Sequence, residues 1–559
     1  MTTNCINAPE SLPARLADMK ARRDAASQFY TTLNYPPQQC NGDEDDFKTK
    51  HYFANFTKGL KHNPFGEVDN PADYEALLTA IESGAPAKFD TIPLNCTKPM
   101  SCAPCVGIRK QATFTNPQAG LAFDTCGPDA QSLTMPPPPR FSSAAEIGEI
   151  AENYWLALAR DVPFTAYDED PITIESAADL TNFGSVFEGP KDAAGKVTTK
   201  TLFRGFTPGD TIGPYLSQFL VRDVPYGAQS IMPMLTYALP DRNYMTNAVD
   251  YLAAQDGCFP PGDQVEEIAP RRIYRGRDLA QYVHIDELFQ AYFNACLILI
   301  TPPSRGGIGA PVDKDNPYAP SKKSNQAGFG TLGEPNFKTL VCEIATRAMK
   351  AVWYQKWMVH RRIRPEVFGA RVHFDLTANH HYPFESASYA KLKSGVLPVV
   401  HQKNGGHGYF LPMAFPEGSP MHPAYGAGHS TVAGACVTIL KALFDEDAVL
   451  TTDLGIEPML PTRDGKYLRP YTGADKNQMT VGSELNKLAG NISMARNFAG
   501  VHWRSDYTQS VMLGEKIALY YLQEYINTYN EANVSFTVTR FDPALPKVTL
   551  TKGAAPQMF

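Results

Sequence analysis

A mainly α-helical fold, built from helical bundles with two four-helix-bundle cores, long loops and a few short β-strands, is what this sequence predicts. Three observations lead there. Apolar residues recur at helical spacing in five long stretches, at 143–161, 336–358, 429–445, 484–495 and 505–528. Strand-like alternation is confined to short pieces, chiefly Val534-Ser-Phe-Thr-Val-Thr539. Between the helical stretches lie loops rich in Gly and Pro, such as Thr301 to Pro335, which separate helices rather than join strands.

Taken in order, residues 1–140 are rich in Pro, Asn and Gly and end in Met135-Pro-Pro-Pro-Pro139. They read as an extended N-terminal arm that packs on the body instead of forming its own core. The body, 141–559, opens at Ser143 with an amphipathic helix running to Asp161. Asp278 reads as the N-cap of one long helix carrying Tyr282, Ile285, Phe289, Tyr292, Cys296 and Leu299 on a single face. The helices of the C-terminal half follow, and no internal repeat is visible.

Composition narrows the function classes. With 559 residues, 43% of them hydrophobic, the chain can bury a large core. A formal net charge of −7 argues against a nucleic-acid partner, which needs a basic face. The longest apolar run, Ala295 to Ile300, falls far short of the ~20 residues of a membrane span. The N-terminus has no basic start followed by an apolar stretch, so a soluble protein without a classical signal peptide is expected. Ten cysteines are ordinary usage. Cys102-Ala-Pro-Cys105, with Cys96 and Cys126 nearby, has metal-ligand spacing, but lacks the second CxxC of a zinc site; a local disulfide or free thiols compete with it. Cys5 and Cys40 are candidates for an intersubunit bridge.

Three segments carry the chemistry: Lys356-Trp-Met-Val-His-Arg-Arg-Ile-Arg364-Pro365, Gly426-Ala427-Gly428-His429, and Arg496-Asn-Phe-Ala-Gly-Val-His502-Trp-Arg-Ser-Asp506. A tetrahedral oxyanion needs several charge-assisted donors aimed at separate oxygens. Arg supplies a planar fork and Lys a point charge. In the second segment the glycines allow close backbone approach, and the start of the following helix offers unpaired N–H groups to an anion; His429 projects from its first turn as acid or base. In the third, Asp506 follows His502 by four residues, so its carboxylate can accept the Nδ1 proton and leave Nε2 free. Singly, each has a plain alternative: a solvated basic helix end, a glycine-rich helix entry with a chance histidine, a core histidine beside an ion pair.

Together and in this order, the segments resemble the signature shared by vanadium-dependent haloperoxidases and type-2 phosphatidic acid phosphatases. Further stretches, Ala54 to Leu60, Asn116 to Asp124, Thr201 to Asp210 and Phe415 to Pro423, resemble the bromoperoxidase type known from algae and cyanobacteria, from about residue 50 onward. The resemblance implies a vanadate cofactor whose metal is bound by His502 through Nε2. It implies oxygens held by Lys356, Arg364, Arg496 and the Gly428 amide, His429 at the axial oxygen, and Asp506 orienting His502. His422 matches a histidine beside the site in bromide-oxidising members. The implied reaction oxidises bromide or iodide with hydrogen peroxide, His429 taking a proton and Lys356 polarising the peroxide. Hypohalous acid then halogenates organic acceptors, and the chain is expected to form a homo-oligomer. Two departures stand out: Ala427 replaces the family's serine, removing a hydroxyl, and Ala495 precedes Arg496 where a serine is usual. Asp313 and Asp315, in a loop, are a calcium candidate by the same resemblance, set against a solvated acidic loop. The competing activity is a soluble acid phosphatase with His502 as nucleophile. A non-enzymatic oxyanion-binding protein is the third reading. His360, His380, His381 and His407 read as structural or surface histidines.

Overall fold

A computed structural model describes residues 11–95, 113–258, 269–554 and 557–559. Helices dominate it. In chain order the principal ones are α1 (Leu12–Thr32), α2 (Pro71–Ser83), α3 (Ala144–Ala159), α4 (Gly276–Tyr282), α5 (Gln290–Ile300), α6 (Glu334–Tyr354), α7 (Pro365–Thr377), α8 (Gly428–Leu443), α9 (Val481–Phe498) and α10 (Arg504–Ile526). Sheet structure among the described residues amounts to three antiparallel hairpins: β1 (Val224–Tyr226) with β2 (Gln229–Ile231), β3 (Met459–Pro461) with β4 (Leu468–Pro470), and β5 (Ser535–Val538) with β6 (Val548–Thr551).

Helix α8 is the axis of the C-terminal half. It packs on α10, α6 and α9, and every residue but His429 is buried. Its apposition to α10 is unusually close because two glycines face across it. A Cβ on Gly434 would collide with the Val511 carbonyl, and one on Gly514 with the Thr431 carbonyl. That contact brings the start of α8, with His429, up to the start of α10, which follows His502. Helix α9 is buried along its whole length. Within it Lys487 is paired with Glu484 at 2.5 Å, while Ser493 and Asn497 carry buried polar atoms without a partner. Helix α3 begins where expected, with the Ser143 hydroxyl accepting from the Glu146 amide.

The long helix expected from Asp278 is broken. Chain 276–300 forms α4 and α5 with a link between them, in which Ile285 is 64% exposed. Asp278 is not a cap; it sits inside α4, fully buried, gripped by Arg271 and Arg275 at 2.5 and 3.0 Å. Burying it in that ion cluster fixes the direction of α4, and the polar run His284, Asp286, Glu287 makes the turn. Arg364 is the N-cap of α7, with Pro365 at the first helical position, where its lost N–H costs nothing.

Within residues 11–140 the aromatic side chains Phe47, Phe53, Phe56 and Tyr74 join the main core. Helix α1 was not anticipated, and none of its residues is buried. Cys40 and Cys126 are free thiols, and Cys258 is disulfide-bonded. Cys5, Cys96, Cys102 and Cys105 lie outside the described residues. Among the described residues no helix is long and apolar enough to cross a membrane.

Candidate active site

The three motif segments meet at one buried place. Helix α6 continues into a wider π-turn, Gln355–His360, which sets Lys356 inside the protein. Its ammonium donates to the Pro423 and Ala424 carbonyls at 2.8 and 3.0 Å and stands 5.6 Å over the Trp353 ring. Burial, with Arg364 close by, holds its proton affinity well below that of an ordinary lysine.

Arg364 spans the middle. Nη1 donates to Val501 O at 2.6 Å and points to His502 Nε2 at 3.2 Å, while Nη2 reaches His422 O at 2.7 Å and His422 Nδ1 at 3.0 Å. Burial lowers its pKa to about 9, and burial likewise brings Arg496 to about 10.

A guanidinium only donates, so the contact with Arg364 defines the tautomer of His502. His502 Nε2 presents its lone pair to Arg364, and Nδ1–H donates to Asp506 Oδ2 at 2.7 Å. His422 Nδ1 stands 3.0 Å from the same guanidinium and 3.2 Å from the Pro423 carbonyl. Burial and then the surrounding cations keep both rings neutral far below the usual histidine range.

Asp506 is itself fixed from behind. Its Oδ1 accepts from Arg362 at 2.8 Å, and Arg362 also reaches Glu146 and Glu149 on α3 at 2.5 and 2.9 Å. Arg362 thus ties the His502 segment to α3, a role the sequence reading did not assign to it.

Arg496 donates to the Val283 carbonyl at 3.0 Å, and its buried Nε has no partner. A buried cationic N–H without an acceptor is costly unless an anion fills the space. His429 lies nearer the surface than His502; its side chain is 24% exposed, and Nε2 is 3.0 Å from Asp286 Oδ1. Asp286 comes from the link between α4 and α5 and was missed because that link was read as continuous helix. Its signal was the polar interruption of the apolar stripe.

Ala427 is the N-cap of α8 and supplies no side-chain bond; its amide donates to Ser510 Oγ at 2.8 Å. Gly428 faces Trp353 and Met349, against which a Cβ would crowd at 3.1 and 3.4 Å. The first-turn amides of α8 stand outside the helix ladder, as at any helix start.

The remaining candidates lie elsewhere. Asp313 closes a turn onto the Asp315 amide at 2.8 Å, and burial raises its pKa to about 6. No group of three or more His, Cys, Asp or Glu side chains suited to a metal ion occurs among the described residues. His360 is buried against Tyr425, and His380 stacks on Phe65.

A neutral histidine lone pair, a lysine and two arginines, buried close to one another in a helical bundle, are the donor set that suits a tetrahedral oxyanion. Comparison with known proteins agrees. Residues 401–531 match the family model described as the VCPO second helical-bundle domain. The chain is 34% identical to the vanadium-dependent bromoperoxidase of Corallina pilulifera, over 95% of this chain and 98% of that one. It is 32% identical to the vanadium-dependent bromoperoxidase of Ascophyllum nodosum, over 88% and 85%. Among solved structures, the second vanadate-dependent bromoperoxidase of Ascophyllum nodosum, described as homohexameric, superposes with a TM-score of 0.87. That match has 27% identity and covers 99% of this chain and 94% of the other. The chain belongs to the family of vanadium-dependent bromoperoxidases.

Proposed function

We propose that the protein is a vanadium-dependent haloperoxidase that oxidises bromide and iodide with hydrogen peroxide to hypohalous acid, which halogenates small organic acceptors. The observation that carries this reading is the Nε2 lone pair of His502, buried among Lys356, Arg364 and Arg496. A neutral imidazole with its other nitrogen bound to a carboxylate is a metal ligand in waiting. The orphaned Nε of Arg496 supports the same fit, since a vanadate oxygen would satisfy it.

Bound vanadate would supply a Lewis acid that activates peroxide toward a nucleophilic halide without changing oxidation state. His502 would hold the metal. Lys356, Arg364, Arg496 and the Gly428 amide would hold its oxygens as charge-assisted donors. To do so, Arg364 must turn Nη1 from His502 Nε2 to the anion. His429 would move the proton of the incoming peroxide, with Asp286 holding its Nε2 side. Asp506 and Arg362 would keep His502 in one tautomer throughout. His422, beside Trp353 at 4.8 Å between ring centres, gives the pocket a polar wall that suits bromide and iodide over chloride. The homohexameric neighbour supports a homo-oligomer.

Incubation with orthovanadate, peroxide, bromide and a halogen acceptor, beside a phosphomonoester assay, tests the reading. Vanadate-dependent bromination lost in His502→Ala, together with vanadate retention, is the expected result. Phosphomonoester hydrolysis without bromination would overturn it in favour of a phosphatase.

A further inference from the structure

A cavity of about 410 Å³ shares none of its lining with the motif residues. Five aromatic side chains, Phe164, Tyr167, Tyr215, Tyr274 and Tyr471, contribute to its walls, and Met459 and Leu460 of β3 add apolar surface. Phe164 and Tyr215 stack face to face at 4.0 Å. Phe498, two residues beyond Arg496, packs edge-on against both, at 6.2 and 6.4 Å. That ring places the cavity behind the end of α9 that carries Arg496.

The polar groups at its edge are few and balanced. Asp475 accepts from Lys200 at 2.9 Å, from Tyr471 at 2.7 Å and from the Gly213 amide at 3.0 Å. Three donors hold the carboxylate in place, and it pins the ammonium at the rim. Lys200 has three N–H donors and is 61% exposed on its side chain, so it can donate to a second acceptor. Arg204 is spent on the carbonyls of Asp210, Gly213 and Pro214. Two other lining residues, Thr165 and Tyr167, carry hydroxyls buried with no partner.

We infer that this cavity is a second binding site, for a small neutral hydroxyarene of the phenol class. Size and lining match a single substituted ring: ligand sites of roughly 300 to 1,000 Å³ are mostly apolar, with a few placed polar groups. The aromatic walls receive the ring edge-on or offset. The Lys200 ammonium donates to its hydroxyl oxygen. The lining charges cancel, Lys200 and Arg204 against Asp168 and Asp475, and leave no net charge to select an anion. On the bromoperoxidase reading, hydroxyarenes are also organic acceptors, being electron-rich toward electrophilic bromine, so the cavity would concentrate an acceptor on the protein.

Binding is measured on the vanadate-free full chain, so its failure is separate from a failure of halide oxidation. The probe is p-cresol, followed by equilibrium dialysis, with toluene as the ring lacking a hydroxyl. One saturable site is expected, with toluene weaker by about tenfold, the size of one hydrogen bond to a charged group. Lys200→Met should weaken p-cresol by a similar factor and leave toluene unchanged. Ala474→Trp, at an exposed lining position, should fill the cavity and abolish binding of both without shifting the melting temperature or vanadate affinity. Absence of saturable p-cresol binding, equal binding of p-cresol and toluene, or binding untouched by Ala474→Trp would each overturn the inference.

Discussion

Arg362 Nη1 stands 2.8 Å from Asp506 Oδ1, the carboxylate oxygen that does not face His502, while Oδ2 takes the His502 Nδ1 proton at 2.7 Å. The carboxylate is thereby locked between an arginine and an imidazole. It cannot rotate away from His502 without abandoning a buried guanidinium that Glu146 and Glu149 also hold. The tautomer that leaves Nε2 free is therefore enforced by three acids from two helices.

Asp506→Asn removes the charge that fixes this arrangement while preserving shape. Vanadate affinity should fall by roughly 10–100-fold, the usual cost of losing such a supporting carboxylate. The amide would also face either Arg362 or His502 with the wrong group. Vanadate titration against bromination rate checks it; a variant binding as tightly as the parent would show that the carboxylate does not orient His502.

Ala427→Ser restores a hydroxyl at the N-cap of α8. Two effects should appear. A bond from the hydroxyl to a charged vanadate oxygen, at the low end of about 1.5–3 kcal/mol, corresponds to roughly tenfold tighter binding. When the anion is absent, the same oxygen can accept a first-turn amide, adding about 1 kcal/mol of helix-cap stability. Titration and thermal melting of the vanadate-free protein separate the two. Loss of both affinity and bromination rate would mean that position 427 does not face the anion.

His422→Phe removes the Nδ1 nitrogen that Arg364 meets at 3.0 Å and replaces it with an apolar ring. Bromide kcat/KM should drop and the preference for bromide over chloride should narrow, because the polar wall is lost while Arg364 keeps its bonds to the His422 and Val501 carbonyls. Steady-state rates with each halide at matched pH test this. An unchanged halide ratio would remove His422 from halide selection.

Asp210 lies outside the site and gives a pH prediction. Its carboxyl is 1% exposed, one oxygen has no partner, and burial raises its pKa from the ordinary 3.8 to about 6. A carboxyl raised on folding binds more protons in the folded chain, so its contribution to stability falls as pH rises from 4 to 6. The full difference is about 3 kcal/mol. Asp210→Asn has no such titration, so its stability relative to the parent should increase across pH 4–7 by up to that amount. Calorimetric melting at several pH values shows it; a constant difference between the two proteins would refute it.

Much of the site was legible in the chain because local spacing carries it. Asp506 follows His502 by four residues, near enough for its carboxylate to reach Nδ1, and the glycines before His429 mark a helix entry, whatever the rest of the protein does. The predominance of helix followed equally from apolar periodicity. What the sequence could not decide is where the polar breaks fall and who meets across them. Tyr282, Ile285 and Phe289 keep a helical rhythm, yet the chain turns there, because burying Asp278 between Arg271 and Arg275 outweighs continuing a helix that would leave Ile285 facing solvent anyway. Asp286 reaches His429 only through that turn, and Arg362 reaches Asp506 only because α3 supplies Glu146 and Glu149 from more than two hundred residues away. Local hydrogen-bond geometry is written in short spacings, so the sequence by itself picked out His502, its carboxylate and the cations. The pairing of buried charges is a long-range energy, set by which elements pack together, and only the tertiary structure decided it.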